Sequence, residues 1–279
     1  MSVAWRRFVA HRLALAGLVL IVGLAIVAAL ARQVAPHDPI RQDLPRALAT
    51  PSRDFPLGAD EFGRCILSRI LYGARLSLLV GVIATAIGAV TGILLGLLAG
   101  YFPRLDTLVM RTMEVLLAFP SILLAIAIVA ALGPSLVNVM IAVGLRSIPA
   151  YARLTRSMVL SLKELEFVQG VNALGAGHAR VLFRHILPNS VSPLVVFSSM
   201  QVATSILLAA ILSFLGLGVQ PPTPEWGKMV SDGRAYLLEA PHVSLFPGVA
   251  IFLTVLGFNC LGDGLRDALD PRMRAGVGE

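Results

Sequence analysis

Five stretches of the chain run without a formally charged side chain: Leu13–Ala31, Leu76–Tyr101, Val115–Leu145, Val191–Pro224 and Ala240–Gly262. A helix that crosses about 30 Å of hydrocarbon needs roughly 20 apolar residues, so each run is long enough to span a bilayer. The third run is too long for one crossing at about 1.5 Å per residue, and Gly133-Pro134-Ser135 divides it. With helix ends extended into the charged flanks, the pattern predicts six spans, near 13–31, 78–101, 108–132, 135–155, 192–217 and 244–262. Buried helices of a soluble core would carry polar faces between the runs, and these runs carry none. The fold class expected is an all-α membrane protein with six transmembrane helices.

Two intervening segments have patterns of their own. Ahead of the second span, Arg64, Ile66, Leu67, Arg69, Ile70, Leu71 and Arg75 alternate basic and apolar residues at helical spacing. That suits a helix lying in the membrane interface. Between spans four and five, Leu162, Leu165, Phe167, Val168, Val171 and Leu174 predict a short amphipathic helix. Gly175 is placed to stop it, since glycine takes the left-handed conformation at a helix end cheaply. A second short helix follows through Val181, Leu182, Phe183 and Ile186, with Pro188 expected to end it and Asn189 to lead into span five. This helix–glycine–helix element reads either as a connector folded onto its own bundle or as a protrusion that docks on a soluble partner. Within span two, Gly88, Gly92, Gly96 and Gly100 recur every fourth residue, a helix-packing face on which another backbone can approach closely.

Composition agrees with the spans. The chain is 57% hydrophobic and 14% charged, against about a quarter charged for soluble domains. A net charge of +7 is accounted for by basic residues at span ends, which meet membrane lipid and set topology, with no nucleic-acid partner implied. Placing 1–12, 101–114, 146–190 and 262–279 inside gives those segments 14 of the 23 Lys and Arg. The cluster Arg6, Arg7 and Arg12 before span one points the same way, so both termini are expected in the cytoplasm. The first apolar run is longer than a signal-peptide core of about 7–15 residues and is expected to stay as a span. Cys65 and Cys260 fall in different segments and imply no disulfide framework.

Catalytic and metal-binding patterns are missing. Gly227-Lys228 is followed by Met229, with no glycine at P-loop spacing. His11, His37, His178, His185 and His242 are scattered, with no zinc-ligand spacing, and there is no G-x-S-x-G elbow. No catalytic, cofactor or metal residue is expected on this chain. Arg111, Glu114, Arg153 and Asp263 are placed at span ends, and the long runs carry no mid-span charge, which argues against ion coupling.

The stretch "EFVQGVNALGAGHARVLFRHILPN" resembles the EAA loop of binding-protein-dependent ABC importer permeases. Gln169-Gly170-Val171 occupies the EAA triplet, Gly175 falls at the glycine of that loop, and Leu187-Pro188 lies at the matching distance. The triplet keeps neither acid nor alanines, and His185 stands at an isoleucine position; Glu164 and Glu166 are the nearby acids that could substitute. "PLGADEFGRCILSRILYGARLSL", "LLAFPSILLAI", "SFLGLGVQPPTPEWG" and "LFPGVAIFLTVLGFNCLGDGLRDALDPR" are similar to the C-type permease of dipeptide, oligopeptide and nickel importers, with Ala59 and Cys65 departing from its usual residues.

The resemblance implies a type I importer permease fold with cytoplasmic coupling helices. Residues 1–75 would hold the first span, an outer loop and the interfacial helix, and 76–279 a five-span core with the loop at 162–190. It also implies a related B-type permease, two ABC ATPase subunits holding ATP and magnesium, and an extracytoplasmic substrate-binding protein. ATPase coupling would involve Glu164, Glu166, Gln169, Gly170, Val171, Ala173, Leu174, Gly175, Leu187, Pro188 and Asn189. The expected location is the bacterial inner membrane and the expected cargo is di- or oligopeptide. A nickel or metal-chelate permease is the alternative within the family, and a membrane sensor or scaffold the alternative outside it.

Overall fold

The structure, a computed structural model, describes residues 11–269, and among these the regular secondary structure is helix, besides one isolated antiparallel bridge between Ala59 and Cys65. Arg6 and Arg7, used above to orient the first span, lie outside the described residues. In chain order the main helices are α1 (Arg12–Ala29), α2 (Ile66–Tyr101), α3 (Pro103–Ala118), α4 (Ser121–Leu132), α5 (Leu136–Leu162), α6 (Glu166–Ala173), α7 (His178–Phe214), α8 (Trp226–Gly233) and α9 (His242–Leu269). Four of them, α1, α2, α7 and α9, are long and apolar enough to cross a membrane, and α3 with α4 qualifies as one broken crossing. α5 has the length, 27 residues, but carries Arg146, Arg153 and Arg156. The set is consistent with six crossings.

The expected span 108–132 is two helices, bent by 92°. Pro120 causes the break: its ring pushes the preceding Phe119 out of the helical region, to φ −87° and ψ 137°. The turn at 133–135 is built as the sequence suggests. Gly133 has φ +93°, Ser135 Oγ accepts from Asn138 N at 3.1 Å, and Asn138 Nδ2 donates to the carbonyls of Leu132 and Gly133.

α2 and α5 are the central pair. Gly88, Gly92, Gly96 and Gly100 are all buried and face α5. A Cβ at Gly92 would lie 2.5 Å from Tyr151 Cβ, one at Gly96 2.6 Å from Thr155 Cβ, and one at Gly100 2.6 Å from Val159 Cβ. At Gly88 it would collide with Ser147. The two backbones are in contact because no side chains stand between them. α4 packs Ala125 and Val129 against Val139 and Val143 of α5, α7 closes that core with Leu208, Ala209 and Leu212, and Thr85 Oγ1 meets Ser205 Oγ at 3.1 Å. α9 holds α1 on the outside, with Gly17 against Gly257 and Cys260. Leu13, Val19, Val22, Val82, Val90 and Phe252 stay exposed and give the bundle an apolar exterior.

The expected interfacial helix is instead the first part of α2, so the boundary at 75/76 falls inside one continuous helix. Arg64 and Arg69 do not face lipid. Both are buried, with Arg64 Nε 2.6 Å and Arg69 Nε 3.3 Å from Asp60 Oδ2. Arg64 Nη2 also reaches Glu61 Oε1 at 3.1 Å, and Arg69 Nη1 donates to the Pro39 carbonyl at 3.1 Å. The spacing was right for a helix from Ile66 onward, but Arg64 lies in the loop before it together with the acids that claim both arginines. Burial and the adjacent Asp60 carboxylate push the Glu61 carboxyl up. At the same end of the bundle Glu225 caps α8, accepting from Gly227 N at 3.0 Å and Lys228 N at 2.9 Å, while its burial pushes its carboxyl up.

Candidate functional site

Residues 162–190 stand at the end of the bundle where α2 and α5 finish together. α5 stops at Leu162, and the chain turns through an extended Leu165 into α6. Only one side of α6 is anchored. Val168 is fully buried and Val171 partly so, packed with Leu97 of α2, Val159 of α5, and Val181, Leu182 and Ile186 of α7. Elsewhere it is bare: Phe167 is 44% exposed, and Leu165 and Leu174, which cap the helix at its two ends, are 46% and 89% exposed.

Gly175 terminates α6 in a Schellman motif. Its N–H donates to Asn172 O at 2.9 Å, and Ala176 N donates to Val171 O at 3.3 Å. Its φ is +78°, and an added Cβ would find nothing within 4 Å. The requirement at this position is therefore conformational and not one of space. The start of α7 is fastened to the end of α2 by Tyr101 Oη and His178 Nδ1 at 3.0 Å, with Phe102 edge-on to both rings.

Pro188 does not end the second helix, contrary to expectation. The helix runs without interruption from His178 to Phe214, with a π-helical stretch at Val181–Ile186. Widening the turns ahead of the proline accommodates its ring and its missing N–H. Side chains serve carbonyls in that region: Asn189 Nδ2 donates to His185 O at 2.6 Å and Ser190 Oγ to Ile186 O at 3.0 Å.

The residues singled out in the sequence therefore fall into two groups. Glu164, Glu166, Gln169, Gly170, Ala173, Leu174 and Gly175 are exposed around the tip, with Val171 half-buried on the anchored side. Neither Glu164 nor Glu166 makes an ion pair among the described residues, and Gln169 Nε2 folds back onto the Glu164 carbonyl at 3.1 Å. Leu187 packs into the anchoring cluster. Pro188 and Asn189 open instead onto a cleft of about 750 Å³ shared with Leu154, Phe197 and Arg266.

Two charged features were missed by the sequence reading. Asp106 of α3 and Arg156 of α5 form a two-pronged pair beside the tip. Arg146 stands in the middle of α5, so the expectation that spans lack mid-span charge is wrong: the uncharged run stops at Leu145, but the helix does not. The Arg146 Nη1 atom is enclosed without a hydrogen-bond partner, and burying such a group unsatisfied costs about 1–3 kcal/mol or more.

Comparison with known proteins fits this architecture. The family model for the binding-protein-dependent transport system inner membrane component matches residues 92–275, and that for the N-terminal TM domain of oligopeptide transport permease C matches residues 1–51. A glutathione transport system permease protein of Pectobacterium atrosepticum is 50% identical over 273 residues, covering 97% of this chain and 91% of that protein. A dipeptide transport system permease protein of Alkalihalophilus pseudofirmus is 48% identical, covering 98% and 90%. A glutathione transport system permease protein of Escherichia coli O6:K15:H31 is 52% identical, covering 97% and 90%. Among solved structures, an amino acid ABC transporter crystallised with histidines superposes with a TM-score of 0.52 at 15% identity, over 71% of this chain and 92% of that one, a likeness of fold. A permease subunit of an ABC importer, the chain belongs to the family of inner membrane components of binding-protein-dependent transport systems.

Proposed function

We propose that this chain is the translocation subunit of an ATP-driven importer of di- and oligopeptides, paired with a related B-type permease. Two ABC ATPase subunits beneath the pair carry the ATP and magnesium, and an extracytoplasmic binding protein delivers the solute. The tip at 164–175 and both termini then face the cytoplasm, while residues 32–77 and 219–243 face outward. The named solutes of similar permeases, glutathione and dipeptide, are both peptides, which supports the cargo class.

The observation that carries the coupling role is the exposure of Leu174 and Phe167 on a helix whose other side is anchored through Val168. Large apolar side chains held in water on a short rigid helix suit docking into an apolar groove of a partner. Glu164 and Glu166 at the rim offer charge to a basic partner surface. ATP-driven movement of the groove would then be passed through α6 to α5 and α7, alternately opening the path to each side.

Leu174→Glu tests this reading, because it leaves the anchored side untouched. The variant should insert and pair with its partner permease normally but lose co-purifying ATPase and ATP-driven peptide uptake in proteoliposomes. Normal ATPase association with normal uptake in Leu174→Glu would refute the docking role.

A further inference from the structure

The bare faces of α5 differ along its length. Near its start Val137, Ile141 and Leu145 point outward, an apolar strip suited to lipid. From its middle onward one face carries Arg146, Ala150, Arg153, Ser157 and Ser161, exposed or half-buried and spaced by four, three, four and four residues, with Leu154, Arg156, Met158 and Leu160 half-buried beside them. That strip lies to one side of the face that meets the glycines of α2, which is formed by Ser147, Tyr151, Thr155 and Val159. Two arginines with small and hydroxylated neighbours are unsuited to hydrocarbon, so this strip belongs to a water-filled path or to protein.

Arg146 heads the strip. It is the eleventh residue of α5, about 15 Å along the helix and so near half of a hydrocarbon thickness of about 30 Å. Its Nη1 has no hydrogen-bond partner, and no described carboxylate forms an ion pair with it. Arg156, one turn beyond Arg153, is by contrast fully engaged by Asp106. The Arg146 side chain is half-buried with Nη1 enclosed, and a planar guanidinium matches a carboxylate in two-pronged geometry.

From this arrangement we propose that Arg146 is a solute-recognition point in the translocation path, taking the carboxylate of the transported peptide. The inference rests on the peptide-importer reading given above. A terminal carboxylate is shared by peptides whatever their side chains, so one arginine recognises the class without selecting a sequence. A single contact is also weak enough to release its ligand, as conduction requires. Arg153, two turns further along the same face, extends the positive potential toward the α6 end and draws the carboxylate onward.

The test uses the complete importer in proteoliposomes with its binding protein, and two probes: dialanine and dialanine amide. Binding-protein loading is measured for each probe, and uptake is expressed per loaded protein. Arg146→Gln should lower dialanine uptake on the order of tenfold, the factor for one charge-assisted contact, and leave amide uptake, complex assembly and ATP hydrolysis unchanged. Arg146→Lys, which keeps the charge but not the fork, should recover dialanine uptake to within a few-fold. Equal losses for both probes, or equal impairment in Arg146→Gln and Arg146→Lys, would overturn the proposal in favour of a lipid phosphate or a partner-permease acid as the arginine's counter-ion. Undiminished dialanine uptake in Arg146→Gln would overturn it outright. Uptake of neither probe by the unaltered importer would refute the peptide reading and this inference with it, and is told apart from the other outcomes by needing no variant.

Discussion

The carboxylate of Asp106 holds the guanidinium of Arg156 by both prongs, Oδ1 to Nε at 2.5 Å and Oδ2 to Nη2 at 2.6 Å. The pair ties the first turn of α3 to α5 at the level where α2 also packs, 50 residues apart in sequence. Both side chains are about one-third exposed or less, so solvent screening keeps the contribution modest, about 1–2 kcal/mol. A double-mutant cycle of Asp106→Asn and Arg156→Lys, read by thermal unfolding in detergent, should return a coupling of that order. Strictly additive effects would show that the pair contributes nothing.

The glycine face of α2 gives a prediction with an internal control. Gly92 lies against Tyr151 and the Ile148 carbonyl, and a Cβ there would approach the latter at 2.7 Å. Gly92→Ala should lower stability by about 1–3 kcal/mol through overpacking, and Gly92→Leu should prevent α2 and α5 from pairing. At Gly23 on α1 nothing lies within 4 Å of an added Cβ, and Gly23→Ala should be neutral or mildly stabilising. Similar thermal shifts for Gly92→Ala and Gly23→Ala would contradict the packing account.

Gly175 makes a different demand. With φ at +78° and open space around it, a residue with a Cβ costs about 1–2 kcal/mol, and a β-branched one more. Gly175→Val should therefore be the most strained, Gly175→Ala less so and Gly175→Asn least. Membrane insertion and the α2–α5 core should survive all three. Peptide uptake per assembled complex should fall on the order of tenfold in Gly175→Val. Uptake per complex equal to that of the unaltered protein would remove the coupling role of this turn.

Glu61 and Glu225 give the pH dependence its sign. Burial raises both carboxyls, so the folded state holds these protons more tightly than the unfolded state does. Their stabilising contribution is complete below the ordinary carboxylate value and is lost as pH rises through the raised one. Glu61→Gln keeps an acceptor for Arg64 but cannot ionise. Its melting temperature should fall less than that of the unaltered protein as pH climbs from the carboxylate range upward. Parallel curves would mean that Glu61 does not titrate in that window.

Much of the architecture could be read from the chain because membranes impose one-dimensional rules. Uncharged runs marked the crossings, Gly133-Pro134-Ser135 marked a turn, and a four-residue glycine repeat marked a buried face. What was misread depended on partners distant in sequence or on local adjustment. Arg64 and Arg69 have the same spacing whether they face lipid or Asp60. Pro188 reads as a stop unless a π-helical stretch absorbs it. Pro120 was hidden because apolar residues continue on both sides of the break. Arg146 was overlooked because the uncharged run was measured to its last apolar residue, although a crossing begun at Ser135 must continue past it. At the tip, the anchored and exposed sides of α6 were implied by helical spacing, but the separation of Pro188 and Asn189 from that tip was not.

The direct contact of α2 with α5 has a mechanical consequence. Soft side chains between two helices act as bearings: they change rotamer and let one helix slide past the other. Between Gly88 and Gly100 there are no such bearings, and carbonyls and Cβ atoms of α5 press on bare backbone. Over this contact, about 18 Å by the rise of α2, the two helices thus behave as a single beam. A force applied where α5 meets the tip, at Leu162, is carried to the level of Gly144 as rotation of the joined pair and not as sliding.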